Sequence, residues 1–172
     1  MNTKFNIGLK LKIVTLHDLK LILEGRRSQC RMDGTPLEVV FTNGCFDLVH
    51  RGHVDYLSKA RDLGDMLIVG LNSDASVRRL KGNSRPISNQ ESRAMVMAAF
   101  AFVDYVVMFE EDTPLNLIKE IKPDILVKGG DYTHDNVVGA DFVESYGGRL
   151  ELIPLVPGES TTNLVKRMAN GD

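Results

Sequence analysis

From residue 37 onward, short apolar runs rich in β-branched residues alternate with longer amphipathic stretches. The run LEVVFTNG, 37–44, has the length and composition of a buried strand and closes on Asn43-Gly44, a turn signal. Further runs at 66–71, 105–109, 124–127 and 150–155 read the same way, which makes five strands. Helical segments fill the intervals. One spans 53–63 and stops at Gly64, and a short one is capped by Ser73 and ended by Gly82 and Pro86. Ser88 and Glu91 have the spacing of a capping box ahead of the helix formers at 94–99. Thr113-Pro114 opens another helix, with proline where no backbone donor is needed, and Pro123 marks its end. Gly147-Gly148 closes a short helix, Ser160 is placed to cap a last one over 161–168, and a surface helix is predicted at 17–27.

Strands that alternate with helices predict an α/β fold, a Rossmann-like three-layer sandwich whose five-stranded parallel sheet is covered on both faces. Residues 1–35 read as an N-terminal extension carrying the surface helix, and 36–172 as the domain proper. In such sheets ligands collect at the carboxyl ends of the strands, where the winding changes direction. The first core strand delivers TNGCFDLVHRGH to that edge.

Composition narrows the chemistry. With 172 residues and 43% hydrophobic content, one domain can bury its own core. The 21 basic and 23 acidic residues are intermixed and leave a net charge of −2, so neither nucleic acid nor an anionic membrane surface is an expected partner. Cys30 and Cys45 have no CxxC spacing, which fits a reducing cytoplasm and excludes a thiolate zinc site. The first twenty residues are interrupted by Lys10, Lys12, His17 and Asp18, so neither a membrane span nor an export signal is expected. Oligomeric state is left open.

The candidate chemistry centres on His50 and His53, three apart, with Gly52 allowing close backbone approach at a strand-to-helix junction. Helix-terminal N–H groups beside two imidazoles form an anion site suited to phosphate. Zinc is a poorer reading, because HExxH sites use i, i+4 spacing with a glutamate that is absent here, and no protein metal site is expected. Cys45 near the helix start has no spaced partner to activate it as a nucleophile.

These residues carry a resemblance. TNGCFDLVHRGHVDYLSKAR, 42–61, resembles the HxGH signature of the cytidylyltransferase-like nucleotidyltransferases, and GESTTN, 158–163, resembles their second signature. Between them GLNSDASVRRLKG, RPI, FEEDTP, IKPDILVKGGDY and NVVGAD are similar to the heptose 1-phosphate adenylyltransferase branch, over about residues 15–168. The resemblance implies transfer of AMP from ATP to a heptose 1-phosphate, with Mg²⁺ bridging the phosphates. His50, His53 and Lys81 would be catalytic, acting on the reacting phosphates. Thr42, Asn43, Gly44 and Phe46 would line the nucleotide pocket; Lys128, Gly129, Gly130 and Asp131 would border ribose and base. Ser160, Thr161 and Thr162 would cap the phosphate tail, and Arg78, Arg79, Arg85 and Arg93 are further candidate phosphate ligands. One position departs from the cytidylyltransferase pattern: IPLVPGEST lacks the arginine that commonly precedes the second signature, in agreement with the heptose branch. Two alternatives stand beside this reading, a cytidylyltransferase for glycerol 3-phosphate or another polyol phosphate and a nucleotide-binding module without catalysis. With about 35 residues ahead of the first core strand, the chain is expected to adenylylate but not to phosphorylate a sugar.

Overall fold

The computed structural model describes residues 4–130, 132–154, 156–158, 161, 164, 165 and 167. The core strand β2 (Val39–Gly44) forms where the Val-Val-Phe run was expected, and its first four residues are fully enclosed. It is preceded by α1 (Lys4–Lys10), β1 (Ile13–Val14) and α2 (Leu16–Arg27). After it come α3 (Arg51–Arg61), β3 (Met66–Asn72), α4 (Asp74–Lys81), α5 (Gln90–Ala99) and β4 (Tyr105–Phe109). α6 (Leu115–Ile121), β5 (Ile125–Gly129), a 3-10 turn (His134–Asn136), α7 (Ala140–Glu144) and β6 (Arg149–Ile153) complete the order.

The sheet has six strands in the order β1-β4-β3-β2-β5-β6, every neighbouring pair parallel. The expected α/β sandwich is therefore present with one strand more than the five predicted. The extra strand is β1, whose two residues are too few to show a period; it pairs with Val106 and Val107 at the edge. Lys12 secures that edge by donating to the carbonyls of Phe100 (3.1 Å) and Val103 (2.7 Å). Residues 1–35 thus supply an edge strand as well as the surface helix, which starts at Leu16 behind the Thr15 cap and buries Leu19 and Leu23.

One face of the sheet is covered by α3 and α5, which bring Leu57, Ala60, Ala94, Met97 and Ala98 onto Val40, Leu67, Val69 and Val106. The other is covered by α2, α6 and α7, with Leu23, Ile118, Ile121 and Val143 against Phe41, Ile68 and Leu126. Burial of this apolar surface on both faces, about 25 cal/mol per Å², is the main force holding the layers together. Among the described residues no helix is long and apolar enough to cross a membrane.

Besides α2, which starts one residue early, three helix starts differ from expectation. α3 begins at Arg51, not at 53, because the His50 side chain serves as its cap. α5 is capped by Asn89, whose Oδ1 accepts from the Ser92 N–H at 2.9 Å, rather than by Ser88. Pro114 is the N-cap of α6 instead of its first helical residue. The expected cap Ser160 lies outside the described residues.

Strand order positions the site. From β2 the chain winds outward through β3 and β4, then crosses back to place β5 on the other side of β2. β2 pairs with β3 along all six of its residues but with β5 only at Val40↔Ile125 and Phe41↔Leu126. Beyond those two pairs the strands diverge, and a crevice opens at their carboxyl ends, the switch point of the sheet.

Candidate active site

The diverging ends of β2 and β5 are held together by side chains. The Lys128 ammonium donates to Asn43 Oδ1 and, at 3.4 Å, to the Asn43 carbonyl. Below it the Tyr56 hydroxyl, from α3, donates to the Val127 carbonyl at 3.1 Å. Tyr56 has one proton to give, so the Thr42 hydroxyl is the donor in its contact with the Tyr56 oxygen. Thr42 is fully buried and lies beneath the crevice, so this expected pocket-lining residue supports the floor from below. Burial enforces the neutral phenol, raising Tyr56 well above its ordinary range. Burial likewise lowers the Lys128 ammonium to about 8, an effect the neighbouring Cys45 partly opposes.

The loop from β2 to α3 turns at Phe46, a non-glycine residue with φ 44°, in the left-handed region. Gly44 makes room for that turn, since a Cβ there would meet the Phe46 ring at 3.0 Å. The Phe46 ring in turn packs edge-on against His53, 5.4 Å between centroids. The two imidazoles lie 4.0 Å apart. His50 Nδ1 accepts from the Gly52 N–H at 3.1 Å, and His53 Nδ1 accepts from the His50 N–H at 3.4 Å. His53 Nδ1 is an acceptor, so this bond assigns the proton of the neutral His53 ring to Nε2. Burial first, and then the charges of His50 and Lys81, depress His53 to about 4, so it is neutral near pH 7.

These groups line a cavity of about 270 Å³ with Asn43, Gly44, Phe46, Lys81, Gly129, Tyr132 and Thr161. Lys81 closes one side from the last turn of α4, and the Thr161 hydroxyl reaches the Leu48 carbonyl at 3.5 Å from the other. Gly130 is not on the lining; with φ 125° it makes the turn after β5 that only glycine adopts readily. Asp131, Ser160 and Thr162 lie outside the described residues. A second cavity of about 420 Å³ adjoins the first and shares Asn43, Gly44, Cys45, Lys81, Lys128 and Tyr132 with it. A third, about 360 Å³, lies at the opposite edge of the sheet; its Lys12 and Arg27 are bonded to backbone carbonyls.

Of the arginines considered as phosphate ligands, three are engaged within the protein. Arg93 is 1% exposed and donates to the carbonyls of Ser88, Cys45 and Asn72 and to Asp74, so it ties the signature loop to β3 and α4. Arg85 pairs with Asp47, and Arg79 with Asp112 at 2.7 Å. Arg78 is exposed on α4 and does not line the cavity.

Sequence reasoning missed Asp47 and Tyr56. Asp47 is buried in the loop, and besides Arg85 it accepts from the N–H groups of Ile87 (2.8 Å) and Ser88 (3.0 Å). A carboxylate inside the apolar string CFDLV was the available signal, because a buried charge needs partners. Asp47 is also the one carboxylate among the described residues lining the first cavity, and both its oxygens are occupied.

Residues 41–165 match the family described as Cytidylyltransferase-like. The chain is similar to the bifunctional protein HldE of Syntrophotalea carbinolica, 67% identical over 130 residues, covering 76% of this chain and 26% of that protein. It is also similar to the bifunctional protein HldE of Campylobacter concisus, 51% identical over 168 residues, covering 98% of this chain and 33% of that protein. It therefore spans about a quarter to a third of the length of these curated relatives. Among solved structures, the lipopolysaccharide core biosynthesis protein from Thermoplasma volcanium is 27% identical with a TM-score of 0.58, covering 72% of this chain and 99% of that one. Pantoate-beta-alanine ligase from Francisella tularensis, 13% identical with a TM-score of 0.53 over 93% of this chain and 79% of that one, shares the fold.

Proposed function

The chain belongs to the cytidylyltransferase-like family, and from that membership we propose that it transfers AMP from ATP to D-glycero-D-manno-heptose 1-phosphate. The products are ADP-heptose and pyrophosphate, a precursor supply for lipopolysaccharide or another surface glycan. The observation that carries this reading is the pair of imidazoles at the start of α3, facing a cavity that Lys81 and Lys128 also line at the switch point of the sheet. That is an arrangement for a polyphosphate. The similarity to HldE proteins and to a lipopolysaccharide core biosynthesis protein supports the sugar-phosphate acceptor.

A sugar phosphate has its second pKa near about 6, so at neutral pH it is already a dianionic nucleophile and the site needs no general base. One of its oxygens bonds to the α-phosphorus of ATP while the bond from that phosphorus to the β-bridging oxygen breaks, and pyrophosphate leaves. Charge grows on the α-phosphoryl oxygens and on the leaving group. The His50 ring, Nε2–H of His53 and the Lys81 ammonium are the proposed stabilisers of that charge, the two rings held in advance by the capping bonds of α3. Mg²⁺ would enter on the triphosphate and neutralise part of its charge; Asp47 has no free oxygen with which to hold it. The cytoplasm is the proposed compartment, where ATP is available.

Pyrophosphate release measured with ATP, CTP, GTP and UTP against heptose 1-phosphate, glycerol 3-phosphate and hexose 1-phosphates tests the reading. Highest kcat/KM is expected for ATP with heptose 1-phosphate. Preference for CTP with a polyol phosphate would replace it by the cytidylyltransferase alternative, and nucleotide binding without turnover by the binding module.

A further inference from the structure

Outside both cavities at the crevice, three side chains with metal-ligating atoms converge on the connection from β5 to β6. His134 from the 3-10 turn and Asp141 and Glu144 from α7 each bring one ligand atom to within 4.8 Å of the others. None of the three lines either cavity. We infer that this set is a binding site for a divalent transition-metal ion of the zinc class, with His134 Nε2 and one oxygen of each carboxylate as ligands and water completing the sphere. The site is independent of the reaction at the histidine pair.

The donor set selects the ion. One imidazole with two carboxylates suits Zn²⁺ and its transition-metal neighbours, whereas Mg²⁺ takes oxygen ligands and keeps its waters. Two carboxylates beside one imidazole also carry more negative charge than the ring can balance, and a dication offsets it. Among the described residues neither carboxylate is paired with a lysine or arginine; Glu144 meets His134 Nε2 at 2.8 Å. Ligand atoms of a tetrahedral ion, about 2.0–2.2 Å from it, stand roughly 3.3 Å from one another. That contact must therefore open slightly, and no pair of the set exceeds 4.8 Å, so side-chain torsions bring all three onto one ion. The other ring nitrogen is placed as a ligand's should be. His134 Nδ1 lies 3.6 Å from Asp135 Oδ1, so a carboxylate outside the sphere faces the N–H that a metal-bound imidazole presents.

The backbone that carries the set is anchored. Val137, Ala140 and Val143 are buried, which leaves Asp141 and Glu144, three apart on α7, together on the exposed side. Gly139, with φ 94°, makes the turn into α7, and a Cβ there would meet Ile118 Cδ1 at 2.7 Å, so the turn is packed against α6. Ligands on a packed scaffold are held near one geometry before the ion arrives. The metal staples the 3-10 turn to α7. The same stretch supplies Asn136, Val137 and Val138 to the second cavity, so a loaded site stiffens one of its walls.

The probe is ZnCl₂ alone, titrated by calorimetry into the full chain in chelator-free buffer with millimolar Mg²⁺ present. Three ligands at the surface hold the ion only where it is supplied above its dissociation constant, so protein prepared without added zinc starts metal-free. One Zn²⁺ per chain is expected. His134→Ala and Glu144→Gln, which change exposed side chains, are expected to weaken it by at least about a hundredfold, more than loss of an outer partner costs, while His53→Ala binds as the wild type does. A wild-type protein that takes up no zinc, binding that survives in His134→Ala, or binding that disappears in His53→Ala overturns the assignment. Backbone amide shifts of the wild type during the same titration need no variant. Changes centred on His134, Asp141 and Glu144 uphold the site, and changes confined to His50 and His53 overturn it.

Discussion

Lys128 on β5 donates to Asn43 on β2 across the opening where the two strands cease to pair. A charged group thereby stands in for the ladder that ends one turn of pleat earlier, and it is depressed to about 8 because burial favours the neutral amine. Below pH 8 the ammonium is present, and above it the charge is lost. Since kcat/KM reports the free enzyme, it is expected to fall as pH rises through about 8, with one proton released. Lys128→Arg, which stays charged, is expected to abolish that alkaline limb. An identical limb in the arginine variant would assign the titration to another group.

His50 caps α3 and is proposed to act on the reacting phosphates, and two substitutions separate these roles. Asparagine caps well, so His50→Asn is expected to hold wild-type stability while kcat drops about a hundredfold. His50→Ala is expected to lose the same activity and about 1 kcal/mol of stability as well. Urea unfolding together with turnover measures both, and an active asparagine variant would reduce His50 to a cap.

Tyr56→Phe deletes the hydroxyl that joins Val127 to Thr42 under the crevice. A buried carbonyl and a buried hydroxyl then lack partners, which costs about 1–3 kcal/mol. Thermal unfolding is the measurement. The double change with Thr42→Val is expected to recover part of the loss, because it removes one of the orphaned groups.

Asp47 is committed to Arg85 and to two backbone N–H groups, so any Mg²⁺ at the triphosphate is expected to bind through the substrate. Turnover is expected to vanish in excess chelator and to return with Mg²⁺. Chelator is also expected to leave the unfolding temperature of the nucleotide-free protein unchanged. A chelator-induced drop in that temperature would reveal a cation held by the protein itself.

Much of this was legible in the sequence because apolar periodicity reports burial, and the core strands and both sheet faces follow from it. β1 escaped because Ile13–Val14 is too short for a period and gains its place from β4, which lies far along the chain. Ser88 and Asn89 are both good caps, and local chemistry does not choose between them; Asp47 decides by taking the Ser88 N–H. The histidines, Lys81, Asn43 and Lys128 were found by their motifs and do meet at one cavity. Thr42 and Arg93 were misplaced for a common reason. Each is a polar residue in a site motif, and whether it faces the ligand or the protein depends on partners, Tyr56 for one and the Asn72 carbonyl for the other, that spacing does not display.

Nucleotidyl transfer at the His50–His53 cavity is observable by ³¹P NMR of a mixture of the protein, ATP, Mg²⁺ and heptose 1-phosphate. Paired diphosphate doublets of a sugar nucleotide and a pyrophosphate singlet are expected to grow in equal amounts as ATP disappears, and to be lost in His53→Ala. ADP accompanied by inorganic phosphate or a sugar bisphosphate, or unchanged ATP in the presence of every acceptor offered, would contradict it.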